Sequence, residues 1–176
     1  MVILRDLTPD DAPALTRIYS GASVRHTTGT ELTLAQAQQK VHAALTRAAE
    51  IPCGQWSWGI HAADEMIGLI ALRRRSPSMG TISYILREDT WGNGYATDAA
   101  KHVVTFAFTT AGLDRVEAMH HPANPASGRV LTKVGFTCTA TFDRHTEDGT
   151  AVPYPVYALS APPGSGRTTG PVALPN

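Results

Sequence analysis

The strongest chemical signal in the chain is the segment Trp-Gly-Asn-Gly-Tyr-Ala-Thr at residues 91–97, called the glycine loop below. It follows an apolar extended run at residues 81–86 and leads into an amphipathic helical pattern. Glycine lets the backbone come close to a bulky anion. The first N–H groups of a helix have no intrahelical partner and lie at the positive end of the helix dipole. The loop therefore predicts a pyrophosphate site, and hence a ligand that carries a nucleotide.

Three other interpretations of this loop are weaker. The NTPase phosphate loop requires Gly-Lys-Ser/Thr, and no Gly-Lys pair occurs in the chain. A dinucleotide-binding fingerprint needs a third glycine where Thr97 stands, although Glu117 lies at a tolerable distance for its acidic residue. Several extended segments also precede the loop, so this alternative is disfavoured but stays open. An ordinary tight connection between a strand and a helix is the third interpretation.

A second sequence block further along the chain strengthens the interpretation of the glycine loop as a ligand site. Asn124 to Ser127 begins a predicted helix that Gly135 ends as a C-terminal cap. Trp-Gly-x-Gly-Tyr-Ala-Thr followed by Asn-x-x-Ser-x-x-x-Leu-x-Lys-x-Gly-Phe resembles the GNAT superfamily of acyl-CoA-dependent N-acyltransferases. Within it, the sequence is most similar to the branch of the ribosomal-protein N-terminal acetyltransferases (Rim type). Residues 3–12 also resemble the usual start of that branch, and the resemblance covers about residues 2–160.

Length and composition agree with one soluble enzyme domain. The chain has 176 residues, of which 43% are hydrophobic, enough for a sizeable core. The 15 basic and 15 acidic residues cancel, so no charge excess favours nucleic acid or an anionic membrane as a partner. No apolar run approaches the ~18 residues of a membrane span, and the start lacks a signal-peptide pattern, so we expect a cytoplasmic protein. Cys53 and Cys138 are expected to be reduced thiols, and no metal-ligand spacing is present.

Hydrophobic periodicity predicts alternating strands and helices. Strands are expected near residues 2–7, 56–60, 66–72, 79–86, 113–119, 137–142 and 152–159, and helices near residues 8–20, 33–50, 94–111 and 124–134. This order predicts an α/β (α+β) fold with a mixed sheet. The resemblance implies a splayed, mostly antiparallel sheet flanked by helices. We expect an N-acetyltransferase domain at residues 1–160 and a Pro/Gly/Ser-rich tail at residues 161–176.

The resemblance implies acetyl-CoA as co-substrate and no metal. In this family the pantetheine arm lies beside a strand, which maps here to residues 84–86, and the strand contributes main-chain groups from Ile85, Leu86 and Arg87. The pyrophosphate would be held by the glycine loop, that is by Gly92, Asn93, Gly94, Tyr95, Ala96 and Thr97. Asn124 would bond to the pantetheine arm, a role compatible with capping its helix. Trp91 either packs or contacts the ligand.

The resemblance also implies direct attack of a neutral amine on the thioester. The superfamily often protonates the leaving thiolate with a tyrosine at the seventh position after the asparagine, and this chain has Leu131 there. Ser127 matches the serine of the Rim-type branch, so the resemblance implies Ser127 as the acid, with bound water as the rival. The branch often has a glutamate before the loop, where this chain has Thr81 and Ser83.

A histidine is the candidate for the missing base. His120 and His121 end the strand at residues 113–119, and an imidazole there has a suitable pKa to accept a proton through water. Since neighbouring strand residues point to opposite faces, only one can face the ligand. We expect it to be His120.

The acceptor is expected to be an amine of a small molecule, such as an antibiotic or a peptide-like metabolite, or a protein N-terminus. A homodimer is compatible with these expectations. Candidate residues for the acceptor pocket are His26, Trp56 and Trp58, and an ammonium group could be held by Asp143, Glu147 and Asp148. The alternative from another class is a non-catalytic acyl-CoA sensor with the same fold.

Overall fold

In the computed structural model, which describes residues 1–163, seven strands form one sheet in the order β1-β2-β3-β4-β5-β7-β6. The strands are β1 (Ile3–Asp6), β2 (Gln55–Ala62), β3 (Glu65–Arg74), β4 (Met79–Leu86), β5 (Arg115–Met119), β6 (Thr137–His145) and β7 (Ala151–Ser160), and the helices are α1 (Ala12–Ile18), α2 (Leu34–Ala48), α3 (Tyr95–Thr109) and α4 (Pro125–Val134). The β4–β5 pair is parallel and the other pairs are antiparallel. The predicted mixed α/β fold is confirmed. Most of the predicted tail lies outside the described residues.

Helix ends follow local capping chemistry. Thr33 and Gln36 form a capping box at the start of α2. Gly135 closes α4 with φ of 111°, a left-handed conformation that favours glycine. The first predicted helix differs from expectation, because it begins as a short 3-10 helix at Pro9–Asp11 and ends at Ile18 rather than Ser20.

The sheet is covered on both sides, and the two sides have separate cores. On one side α3 and α4 pack against a cluster that includes Ile60, Ile70, Val103, Val116, Leu131 and Phe136. On the other side α1 and α2 pack against a cluster that includes Leu15, Ile18, Val41, Leu69 and Ile85. β3 lies inside the sheet between β2 and β4, and its continuous buried run reflects burial on both faces.

The feature of the sheet that positions the site is the divergence of its two parallel strands. β4 and β5 are paired only from Met79 opposite Arg115 to Thr81 opposite Glu117. On its other edge β5 pairs with β7 along its whole length. The carboxyl-terminal half of β4 therefore has an edge without a neighbouring strand, as the predicted splay requires. Within residues 1–163, no helix is both long and apolar enough to cross a membrane.

Candidate active site

A cleft of about 400 Å³ lies where β4 and β5 diverge. It is bounded by the end of β4, the glycine loop, the beginning of α4, and the segment that follows α1. Its lining includes Ser127, the predicted acid, and most of the predicted cofactor-binding residues, namely Ile85, Leu86, Gly92, Gly94, Tyr95, Ala96, Thr97 and Asn124. The tertiary structure thus brings both sequence blocks to one cavity.

The glycine loop has the geometry of an anion site. Gly92 and Gly94 have φ of 82° and 79°, in the left-handed region that favours glycine. A Cβ built on either would meet no protein atom within 4 Å, so the space above both residues is open. Gly94 is the N-cap of α3, and its carbonyl accepts the first helical hydrogen bond, from Asp98. The N–H groups of the first turn of α3 are therefore available to a ligand in the cleft.

Asn93 has a different position from its neighbours in the loop. Its side-chain amide donates to the carbonyls of Thr90 at 3.0 Å and Trp91 at 3.2 Å. Asn93 is not part of the cleft lining. Its side chain therefore stabilises the loop and does not reach toward a ligand. Trp91 also supports the site, because its indole N–H donates to the Leu86 carbonyl at 3.0 Å.

The main chain of β4 is directed differently from the sequence expectation. The Arg87 N–H donates to the Ile67 carbonyl at 2.8 Å, and the Arg87 carbonyl accepts from Thr90. Bonding direction alternates along an antiparallel pair, so the main chain of Ile85 is also directed toward β3. The main-chain groups of Tyr84 and Leu86 are directed toward the open edge. This direction does not support the expected main-chain contacts of Ile85 and Arg87 with a pantetheine arm, and it leaves Tyr84 and Leu86 as the residues whose main chain faces the open edge. The Leu86 carbonyl already accepts from Ser23 at 2.9 Å.

The start of α4 presents a hydroxyl to the cleft. Asn124 caps the helix, since its side-chain oxygen accepts from the Ser127 N–H at 3.4 Å. Ser127 Oγ lies 2.9 Å from the phenolic oxygen of Tyr84, which belongs to β4. Leu131, where the superfamily tyrosine would stand, is buried in the core at 1% exposure. Ser127 is therefore the α4 hydroxyl positioned at the cleft.

Tyr84 brings a second hydroxyl to the cleft, at a position where the sequence predicted only a strand residue. It lines the cleft, and burial raises its pKa to about 12, although the Ser127 hydrogen bond lowers it in part. The phenol is therefore protonated at neutral pH and acts as a hydrogen-bond donor. Its sequence signal is weak, because an aromatic residue in an apolar strand normally indicates packing.

His120 does not face the cleft. Its ring packs against Tyr157 with centroids 5.5 Å apart, and a Cβ added to Gly128 would lie 2.7 Å from its Nε2. His120 therefore lies on a different side of α4 from Ser127. Its Nδ1 lies 2.8 Å from the His121 carbonyl, and its Nε2 has no partner among the described residues. This position does not support the predicted role of His120 as a base.

His26 and His121 form a stacked pair near the cleft. Their ring centroids are 5.0 Å apart, and His26 lines the cleft together with Arg25. Burial lowers the pKa of His26, as do its neighbours His121 and Arg25. His26 therefore has a stronger tendency to be neutral than an ordinary histidine. The edge of the His121 ring contacts Tyr154 on β7, at 5.3 Å between centroids.

Trp56, Trp58 and Asp148, which were also predicted for the acceptor, have their contacts outside the cleft. Trp56 and Trp58 contact the ring of Phe106 on α3, with centroids 5.5 and 5.1 Å away, and neither lines the cleft. The Asp148 carboxylate accepts from Thr146 and Thr150 within the β6–β7 turn, and these hydrogen bonds lower its pKa to about 2. The side chains that line the cleft include basic groups and no carboxylate among the described residues.

This geometry defines a class of protein. A splayed mixed sheet, a glycine loop at a helix N-terminus beside the splay, and a basic lining form a cleft suited to a large anionic ligand. Residues 1–137 match the family model of the acetyltransferase (GNAT) domain, which is most of the chain. The chain therefore belongs to the GNAT acetyltransferase family. It is an acetyl-CoA-dependent N-acetyltransferase.

Relatives and solved structures agree with this assignment. The uncharacterized N-acetyltransferase YoaA of Bacillus subtilis is 29% identical over 167 residues, which cover 92% of this chain and 94% of that protein. Mycobacterium smegmatis RimJ, solved in complex with CoA-disulfide, aligns with a TM-score of 0.78 and 23% identity over 91% of this chain and 82% of that chain. RimL, a ribosomal L7/L12 α-N-protein acetyltransferase solved with coenzyme A, aligns with a TM-score of 0.79 and 17% identity over 90% and 93%. At these identities the two structures show the shared fold.

Proposed function

We propose that the enzyme transfers an acetyl group directly from acetyl-CoA, bound in the cleft, to a neutral amine of a small molecule or a protein N-terminus. The pyrophosphate of acetyl-CoA would lie on the N–H groups of the glycine loop and of the first turn of α3. The pantetheine arm would follow the open edge of β4. The observation that carries the proposal is that one cleft joins the open space above Gly92 and Gly94 to the Ser127 hydroxyl.

Further features support a CoA ligand. Arg129 and Lys133, one turn apart on α4, both line the cleft and can neutralise phosphate charge. The N-terminus of α4 is also directed at the cleft through Ser127. Within this proposal residues 1–160 are the catalytic domain. A cytoplasmic location and a homodimer stay predictions.

The proposed reaction needs no acyl-enzyme. The amine nitrogen forms a bond to the acetyl carbonyl carbon, the carbon–sulfur bond breaks, and the amine gives up a proton while the CoA sulfur gains one. Ser127 would donate a hydrogen bond to the departing sulfur. A protein α-amine with pKa near 8 is partly neutral at pH 7.5, whereas a lysine amine costs about 4 kcal/mol to deprotonate there. An α-amine acceptor would therefore need little help from a base.

The surroundings of the cleft bear on the acceptor class. Arg25 and His26 line it, and no carboxylate does so among the described residues. The acidic residues of the β6–β7 turn are not part of the lining, and Asp148 is engaged within that turn. A polycationic acceptor would lack a counter-charge here. We therefore favour an acceptor with a single amine, and the name of the RimL neighbour makes a protein N-terminus a specific candidate.

Two measurements test this function. Calorimetry with acetyl-CoA tests binding, and a thiol-release assay tests transfer to a panel of small amines, peptide N-termini and polyamines. We expect turnover with single α-amines and little with polyamines. Binding without turnover on any amine would refute transfer. Mass spectrometry of a cell extract incubated with enzyme and labelled acetyl-CoA then identifies the acceptor; label confined to protein N-termini would exclude the small-molecule acceptor.

The role of Ser127 has its own test. Ser127→Ala should lower kcat by ~10²-fold while the affinity for acetyl-CoA changes little, as expected for loss of a group that acts only on the leaving sulfur. Thr132→Ala is the matched control, because it removes a hydroxyl from the same helix that bonds to the Gly128 carbonyl outside this cleft. An unchanged kcat in Ser127→Ala would assign the role to water.

A further inference from the structure

The contact between Tyr84 and Ser127 crosses the splay of the sheet. The phenolic oxygen of Tyr84 lies 2.9 Å from Ser127 Oγ and 3.2 Å from the Ser127 carbonyl oxygen, and the two residues are 43 positions apart in sequence. Both side chains line the cleft. Tyr84 thus contacts the one α4 residue whose hydroxyl the proposed reaction uses.

The number of hydroxyl protons limits which of the two residues can donate the hydrogen bond in this contact. Each hydroxyl has one proton and can also accept. Because burial raises the pKa of Tyr84 to about 12, the phenol keeps its proton and is available as a donor. The phenol donates to the Ser127 carbonyl oxygen at 3.2 Å, and when it shares this proton with Ser127 Oγ at 2.9 Å, the Ser127 proton is not needed for their contact. It is then free to point into the cleft.

Helical serines have a competing option. A serine or threonine inside a helix commonly donates to a carbonyl one turn earlier, as Thr132 does to Gly128 at 3.0 Å. A hydroxyl that bonds backward in this way is not available to a ligand. A donor placed on the Ser127 oxygen from outside the helix favours the rotamer that keeps this oxygen at the cleft. The phenol of Tyr84 is placed in that position.

We propose that Tyr84 is a positioning residue for the acetyl transfer, which directs the Ser127 O–H to the departing sulfur of CoA. As the carbon–sulfur bond breaks, the sulfur gains negative charge and accepts from Ser127, while Ser127 Oγ accepts from Tyr84. Two hydrogen bonds in series strengthen each other in a site of low dielectric. No proton leaves Tyr84 in this step, and the proton that the amine loses ends on the sulfur. The proposal rests on the proposed function and adds a residue to it.

A test with product CoA alone separates this proposal from the question of the acceptor. The parent protein should lower the pKa of the bound CoA thiol, measured by the ultraviolet absorbance of the thiolate across pH. Tyr84→Phe and Ser127→Ala should each raise this pKa by about one unit, because one charge-assisted hydrogen bond contributes on the order of a tenfold change. Tyr157→Phe is the control. It deletes the hydroxyl of a tyrosine that packs on His120 and does not line this cleft.

Kinetics with an active acceptor give the second readout. Tyr84→Phe should lower kcat about tenfold with an unchanged Kd for acetyl-CoA, and the double variant with Ser127→Ala should be no slower than Ser127→Ala alone. Losses that multiply in the double variant would overturn the proposal. An unchanged thiol pKa in Tyr84→Phe would also overturn it. Failure of the parent to bind CoA, measured first by calorimetry, would instead refute the acetyl-CoA site on which the proposal rests.

Discussion

Replacement of Gly94 by valine tests the anion site of the glycine loop directly. Gly94 has φ of 79°, and a Cβ there would meet no protein atom within 4 Å. The valine side chain would therefore occupy space that the protein leaves open, which is the space assigned to the pyrophosphate. The backbone would also be strained, because a side chain in the left-handed region costs about 1–2 kcal/mol.

Backbone strain and loss of the ligand space affect different measurements, stability and affinity, and by different amounts. Strain alone should lower the free energy of unfolding by about 1–2 kcal/mol, or the Tm by roughly 2–8 °C for a domain of this size. Loss of one or two charge-assisted hydrogen bonds to the pyrophosphate costs about 3 kcal/mol, which weakens binding by roughly 100-fold. We therefore expect a modest loss of stability and a large loss of acetyl-CoA affinity, measured by chemical denaturation and by calorimetry.

Gly112 provides a matched control. It has φ of 65° and an open environment, like Gly94, but it lies beyond the opposite end of α3. At 1.5 Å per residue the helix separates the two sites by about 22 Å. Gly112→Val should lose similar stability and bind acetyl-CoA as the parent does. If Gly94→Val folds and keeps the parent affinity, or if both variants lose affinity alike, the pyrophosphate assignment is wrong.

Two further predictions concern stability. The Asp11 carboxylate accepts from Arg5 at 2.6 Å and from the Thr8 N–H at 2.7 Å, and these contacts lower its pKa although burial alone raises it. A lowered folded-state pKa stabilises the protein above the unfolded pKa of about 3.9, and this stabilisation is lost as the pH falls through the folded pKa. Asp11→Asn should therefore cost about 1–2 kcal/mol at pH 7 and less at pH 3, in urea titrations at both values; an equal cost at both would contradict the ionic origin. Phe136→Ala should cost about 3–5 kcal/mol because the ring is 2% exposed, whereas Phe142→Ala, at 56% exposure, should change stability by less than about 0.5 kcal/mol. Similar losses in the two phenylalanine variants would contradict the core assignment.

Sequence alone was sufficient where the interacting groups are close along the chain. The cap of α4 by Asn124, its end at Gly135, and the left-handed glycines of the loop each depend on residues within one or two turns. Local bonding and steric rules decide such features, and the motif therefore predicted the anion loop and its helix. The same motif led to the family, and through it to the splayed sheet.

The sequence could not predict in the same way which main-chain groups of β4 face the open edge of the strand. Whether the main chain of Ile85 or of Tyr84 faces the open edge depends on the register of β4 against β3. A shift by one residue reverses every bonding direction and every side-chain face. His120 illustrates the same dependence, because its orientation at the end of β5 is decided by packing against Gly128 and Tyr157.

The sequence and the tertiary structure thus determine different parts of the site. Residue types and spacings by themselves predicted an anion-binding glycine loop and a capped helix, since each is a local property of the backbone, and the family resemblance added the acyl-CoA ligand and the role of Ser127 as expectations. Only the tertiary structure decided which groups meet there. Tyr84 and Ser127 approach within 2.9 Å, although they are 43 positions apart in sequence, because the sheet splays between their elements. Such a contact depends on the closure of long loops and on the packing of both cores. A short sequence motif therefore cannot predict it.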